Sequence, residues 1–184
     1  KRGSLEPEPA RLELRRFLDA EPPISEDQGH RIRRILRETV QSPATQLCAP
    51  DEPGTPLVVA GVVRDANGKP VEGALLYVFH ADLTGRYTRQ GEMDERNARL
   101  FGYMKSDREG KFSFRTVRPG GYRKPVTLDG KERFIPQHIH FEVSADGFET
   151  SRFQMVFDDD PRMDDHWRHS WAPAIKLEKS AAGR

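Results

Sequence analysis

Apolar residues recur along the chain with two different periods, and the change of period divides it. Ala10, Leu14, Phe17 and Leu18 fall at i, i+4, i+7 and i+8, one stripe of an amphipathic helix that Pro22-Pro23 ends. Ser25-Glu26-Asp27-Gln28 is a capping-box pattern that opens a second helix, because its side chains can satisfy N–H groups left over in the first turn. Ile32, Ile35, Leu36 and Val40 make the apolar face of that helix, and Arg31, Arg33, Arg34 and Arg37 are expected on a solvated one. Two short helices cannot bury such stripes alone and must dock on the rest of the chain or on a second copy. Residues 1–45 are therefore expected to form a helical arm, a candidate segment for homodimerisation.

After a Pro/Gly-rich linker from Pro50 to Pro56 the period becomes two. Strands are predicted at Leu57–Val63, Leu75–His80, Lys111–Thr116, His138–Val143, Arg152–Phe157 and Pro173–Leu177. Asn67-Gly68 supplies the turn after the first of them. Short strands between turn signals predict an all-β core, an antiparallel β-sandwich or barrel, over residues 46–184. Two long polar insertions, 83–105 and 117–137, interrupt it, and long loops in a compact β domain are usually functional or disordered.

Composition narrows the function classes. Lys and Arg number 30 against 29 Asp and Glu, a formal charge of +1, which argues against a nucleic-acid binder with its clustered basic excess. No run approaches the ~18 apolar residues of a membrane span. The single Cys48 rules out an internal disulfide framework. The start at Lys1 rather than Met points to a processed or trimmed chain; the cytoplasm is slightly favoured as its compartment, which the residues do not decide.

The candidate chemistry begins with His138-Ile139-His140. On a strand, residues i and i+2 face the same way, so two imidazoles stand side by side while Ile139 turns into packing. Such a pair can supply two ligands to one metal or serve as ordinary polar strand residues, and the pair alone leaves both open. Tyr87, after Gly85-Arg86, and Tyr122, after Pro119-Gly120-Gly121, sit in the two insertions, where no strand alternation accounts for them. Each alone reads as a loop anchor or a ligand. Asp158-Asp159-Asp160 with Asp164-Asp165 lacks the alternating oxygen spacing of a calcium loop and reads as a solvated acidic stretch. His166 and His169 beside Trp167 read as C-terminal packing, and His80 as either a strand-end polar residue or a neighbour of a metal site.

Taken in order, Gly85-Arg86-Tyr87, Pro119-Gly120-Gly121-Tyr122 and His138-Ile139-His140 resemble the intradiol ring-cleaving catechol dioxygenases, a family of non-haem iron(III) enzymes. The resemblance runs from about Cys48 to Leu177 and includes Phe153-Gln154-Met155-Val156-Phe157, similar to the strand that carries an active-site glutamine. It implies a prealbumin-like sandwich and an Fe(III) cofactor held by Tyr87, Tyr122, His138 and His140, with Tyr87 and His138 equatorial and Tyr122 and His140 axial. It further implies a catechol-type substrate and O2 as co-substrate, both oxygen atoms entering the ring to give a muconate-type diacid. Tyr122 would accept a catechol proton as it leaves the iron, and Gln154 would donate a hydrogen bond to substrate. Two phenolates are hard anionic donors suited to a trivalent ion, whereas iron(II) oxygenases use two histidines and one carboxylate.

Three departures stand out. The family places an arginine three residues before the first histidine, where it stabilises developing negative charge; here that position is Ile135, and Arg133 is the candidate substitute. Phe79 stands where tryptophan is common, and Arg123-Lys124 where a Pro-Trp-type pair is usual, which implies a more open, polar pocket for a larger or anionic catechol. The competing reading is a non-catalytic β-sandwich binding module of the transthyretin-like or carboxypeptidase-regulatory type, which shares the hairpins but has no reason to keep all four donors. A cupin is rejected, because residues 143–165 hold no further histidine.

Overall fold

The computed structural model describes residues 25–88, 95–124 and 133–165, together with Leu18, Trp167 and Ala174–Ile175. The first expected helix, Leu18 apart, lies outside these residues, as do His166 and His169. Among the described residues, helix α1 (Glu26–Glu38) precedes the strands β1 (Ala44–Gln46), β2 (Pro56–Val62), β3 (Leu75–His80), β4 (Leu100–Lys105), β5 (Lys111–Val117), β6 (Tyr122–Lys124), β7 (Arg133–Ile135), β8 (His138–Ser144), β9 (Ser151–Phe157) and β10 (Ala174–Ile175).

Two sheets pack face to face as a β-sandwich. One has the order β1-β5-β2, the other β10-β9-β8-β3-β4, and β6-β7 form a separate hairpin. The central pairings are antiparallel as expected, but β1 joins β5, and β10 joins β9, in parallel at the sheet edges. Alternation sorts the side chains. Leu76 and Val78 on β3, Ile139 and Phe141 on β8, and Met155 and Phe157 on β9 meet Phe114 and Leu57 between the sheets. His80 also points inward, fully buried, and its Nε2 lies 2.7 Å from Thr116 Oγ1 on β5. It ties the two sheets together.

The opposite face of β3, β8 and β4 is aromatic. Tyr77 stacks on Phe79 and on Tyr103 at 5.0 and 4.8 Å between ring centroids. Helix α1 covers the far end of this row. The capping box forms as predicted, with Gln28 N donating to Ser25 Oγ and Ser25 N donating to Gln28 Oε1. Leu36 and Val40 are buried, but Ile35 is exposed, and Arg33 takes its place in the interface. The Arg33 guanidinium lies 4.1 Å from the Phe101 ring centre and donates to the Ala98 carbonyl at 2.8 Å, so this arginine is not on a solvated face. The helix thus docks on its own chain.

The insertion at 83–105 does not stay polar to its end, because Leu100–Lys105 is β4. It lacks alternation because both of its faces are covered: Phe101 by Arg33, and Gly102 by β1. A Cβ on Gly102 would lie 2.6 Å from Leu47 Cδ2 and 2.9 Å from Thr45 Cγ2. An apolar cavity of about 410 Å³ opens between the sheets beside Val59, Phe112, Phe148 and Phe153; none of the four expected metal donors lines it.

Candidate metal centre

The two tyrosine motifs interlock through their glycines. Asp82 organises the first turn: its carboxylate accepts from Thr84 N, Thr84 Oγ1 and Arg86 N at 2.8, 2.8 and 3.1 Å. Gly85 then adopts φ 80°, in the left-handed region, and a Cβ there would stand 2.7 Å from the Gly121 carbonyl oxygen and 2.9 Å from Tyr122 Cβ. Gly120 packs against the Leu83 carbonyl, and its N–H donates to the Asp82 carbonyl at 2.8 Å. Side chains at either glycine would push the loops, and with them Tyr87 and Tyr122, apart.

Further ties fix each motif to the scaffold. Arg99 N donates to the Tyr87 carbonyl at 2.8 Å, while the Arg99 guanidinium grips the nearly buried Glu52 carboxylate through two bonds of 2.5 and 2.6 Å. Arg118, just before the second motif, binds both Asp159 oxygens at 2.8 and 2.6 Å and donates to Gln137 Oε1 at 2.7 Å. Asp159 is held below the usual carboxylate range by that hydrogen bond from Arg118. Asp160 is buried, accepting from Gln137 N at 2.7 Å and Arg162 N at 2.9 Å, so the acidic stretch is not wholly solvated. It clamps the residue immediately before the histidine pair.

His138 and His140 leave β8 on the face away from the core, as period two requires, and both are buried beneath the tyrosine loops. His138 Nδ1 lies 2.7 Å from the Pro136 carbonyl, so Nδ1 carries the proton and the Nε2 lone pair faces the tyrosines. Tyr87 Oη stands 3.1 Å from His138 Nε2 and 2.9 Å from His140 Nε2, and the two Nε2 atoms are 3.0 Å apart. Tyr122 Oη is 3.5 Å from Tyr87 Oη. The structure therefore brings all four expected donors together.

His138 presents an Nε2 lone pair to the cluster, and a cation there would bind it together with the Nε2 lone pair of a His140 protonated at Nδ1. Burial lowers both histidines, His140 to about 3, which keeps them neutral. Burial raises both phenols, strongly for Tyr87 and to about 12 for Tyr122, so phenolate forms readily only beside a positive ion. Donors bound to one first-row ion at about 2.0–2.2 Å stand about 3 Å apart when cis and about 4 Å apart when trans. The observed 2.9–3.5 Å separations are those of neighbouring corners. Among the described residues no three His, Cys, Asp or Glu side chains converge, so the donor set depends on the phenols.

The remaining expected residues are placed differently. Gln154 lies behind His140, its amide 3.4 Å from Nδ1. Ile135 sits directly across the β6–β7 hairpin from Tyr122, and Arg133, exposed, across from Lys124. Cross-strand partners share a face, so Lys124 and Arg133 lie on the Tyr122 face of the hairpin and Arg123 on the other. Phe79 stacks flat on His140, 4.5 Å between centroids and 2° from parallel, filling the role of an aromatic wall. Cys48 is buried against Leu100 and Val117, away from any reactive role. One neighbour of the donors had no signal in the sequence. Glu95 Oε1 accepts from Tyr122 Oη at 3.3 Å, and Oε2 is 4.0 Å from His140 Nε2.

A family model described as Dioxygenase matches residues 34–181 of the chain. The chain belongs to the intradiol ring-cleaving dioxygenase family. It is 36% identical over 137 residues to catechol 1,2-dioxygenase 2 of Acinetobacter lwoffii, covering 68% of this chain and 50% of that one. The crystal structure of catechol 1,2-dioxygenase from Pseudomonas arvilla C-1 superposes with a TM-score of 0.60 at 27% identity, covering 78% of this chain and 52% of that one. The dioxygenase domain of a dioxygenase carbohydrate-binding protein fusion from Streptomyces sp. SirexAA-E gives 0.55 at 28% identity, covering 79% and 82%. This chain spans about half the length of the curated relatives it matches.

Proposed function

We propose that this protein is an iron(III) intradiol dioxygenase that opens a catechol-type ring with O2, inserting both oxygen atoms to give a muconate-type diacid. The observation that carries the reading is the convergence of Tyr87, Tyr122, His138 and His140, drawn from two loops and one strand, to within 2.9–3.5 Å of one another. Iron held by these four side chains would supply the Lewis acidity that makes a bound catechol reactive toward O2.

The chain's own residues divide the rest of the work. Tyr87 and His138 are the deeply buried pair and form the fixed side of the centre. Tyr122 is partly exposed and less strongly raised, so its Oη is the group that can take up a catechol proton on the open side. Gln154 acts through His140: its amide nitrogen, 3.4 Å from Nδ1, packs behind the ring and fixes its orientation. Arg133 supplies positive charge on the substrate side of the hairpin, beyond the apolar Ile135.

Protein reconstituted with Fe(III) is expected to be burgundy from tyrosinate-to-iron charge transfer and to consume O2 when catechol is added. Iron-loaded protein that bleaches on addition of catechol but consumes no O2 contradicts the catalytic part of this proposal.

A further inference from the structure

Glu95 lies outside every motif that points to the metal centre, yet among the described residues it is the carboxylate that reaches it. We propose that Glu95 is a fifth protein donor, closing the solvent-facing position of the centre; this rests on the iron reading above. Its two oxygens address two different donors: Oε1 is 3.3 Å from Tyr122 Oη and Oε2 is 4.0 Å from His140 Nε2. The first is close to the about 3 Å expected of cis donors on one ion and the second to the about 4 Å expected of trans donors. With the imidazoles alone Glu95 makes no three-residue site. It joins the cluster through Tyr122.

The backbone holds it there. Glu95 begins the 3-10 turn Glu95–Asn97, whose following residues are fastened to Tyr87 itself. Ala98 N donates to the Glu95 carbonyl at 3.3 Å, Ala98 is fully buried against Tyr87, and Arg99 N donates to the Tyr87 carbonyl. Glu95 and Tyr87 thus belong to one folded unit, and the Arg99–Glu52 pair braces it. The Glu95 side chain remains 47% exposed, so it stands on the side from which a substrate must approach.

Charge makes the same assignment. Two phenolates leave a trivalent ion with one positive charge, and a carboxylate cancels it without a hydroxide. An incoming catechol meets Glu95 and Tyr122 before the buried donors, and the exposed carboxylate is the easier of the two to displace because water solvates it at once.

The test compares Fe(III)-loaded wild type, Glu95→Gln, Glu95→Ala and Glu95→Asp by visible spectroscopy and azide titration, with far-UV circular dichroism to confirm folding. Removing an anionic donor makes the ion a better electron acceptor. The Gln and Ala variants should therefore move the charge-transfer band to longer wavelength and bind azide at least tenfold more tightly than wild type, with Asp restoring the wild-type band. The isosteric Gln variant carries the test if Ala fails to fold. Superimposable bands and azide affinities within twofold across the series overturn the assignment while leaving the iron reading intact. A wild type that takes up iron without any such band overturns the iron reading, and this assignment with it.

Discussion

Tyr87 Oη and His140 Nε2 stand 2.9 Å apart although 53 residues separate them in sequence. Tyr87 packs against Ala98 and His140 stacks on Phe79, and both direct polar atoms into the same buried cluster. On the proposed function the pair helps to hold the ferric ion. His140→Ala and Tyr87→Phe are each expected to weaken Fe(III) retention by about 100-fold or more, read by chelator competition, because each removes a donor and leaves its partners unsatisfied. Retention within threefold of wild type in either variant would contradict that role.

The metal-free protein should lose stability in acid below the ordinary histidine pKa of about 6.5. His138 and His140 are lowered by burial, His140 to about 3, so between that value and 6.5 the unfolded chain binds protons that the folded chain refuses. Their contribution is complete above 6.5 and declines as pH falls toward 3. Thermal melts of the metal-free protein from pH 8 to pH 5 read this directly, and the decline should be smaller in His140→Gln.

Gly120→Ala should separate the two tyrosine motifs, since its Cβ meets the Leu83 carbonyl and the Gly85 nitrogen, backbone atoms that cannot step aside. A loss of about 1–3 kcal/mol of stability is expected from urea unfolding, together with weaker iron binding. Gly68→Ala is the comparison: Gly68 has a positive φ, unlike Gly120, but nothing lies within 4 Å of its Cβ. It should lower stability modestly and leave iron binding alone.

Arg118→Ala removes two bonds to Asp159 and one to Gln137, the residue before His138. Because Asp159 is exposed, the stability loss should stay at about 1–2 kcal/mol. The larger effect should be on the centre, with iron affinity falling several-fold as the Tyr122 loop loses its link to β8.

Arg133→Ala should leave the charge-transfer band unchanged and lower kcat/KM for catechol by about tenfold or more. Placing an arginine at Ile135, opposite Tyr122, should restore it in the double variant. Equal turnover by wild type and Arg133→Ala removes Arg133 from the reaction.

Much of this architecture is legible in the sequence because period two is a local rule. β2, β3, β5, β8 and β9 all alternate or carry β-branched runs, and the opposite facing of His138 and Ile139 follows from that alone. β4 escapes the rule because α1 and β1 cover its two faces, which only the tertiary structure reveals. Arg33 reads as solvated for the same reason: a cation stacked on Phe101 has no local signature. The Tyr and His donors are legible through their motifs, whose glycines meet at a backbone crossing. Glu95, Asp160 and the Arg99–Glu52 brace are not, since each acts across a gap in sequence that no spacing rule spans.

In the proposed function Tyr87, Tyr122, His138 and His140 hold one ferric ion. The most direct measurement is anaerobic Fe(III) titration of metal-free protein followed in the visible range, for wild type and Tyr122→Phe. Saturation is expected at one iron per chain with a tyrosinate-to-iron band in the wild type, and a weaker, displaced band when one of the two phenolates is removed. A colourless wild type at saturating iron, or a band identical in Tyr122→Phe, would contradict it.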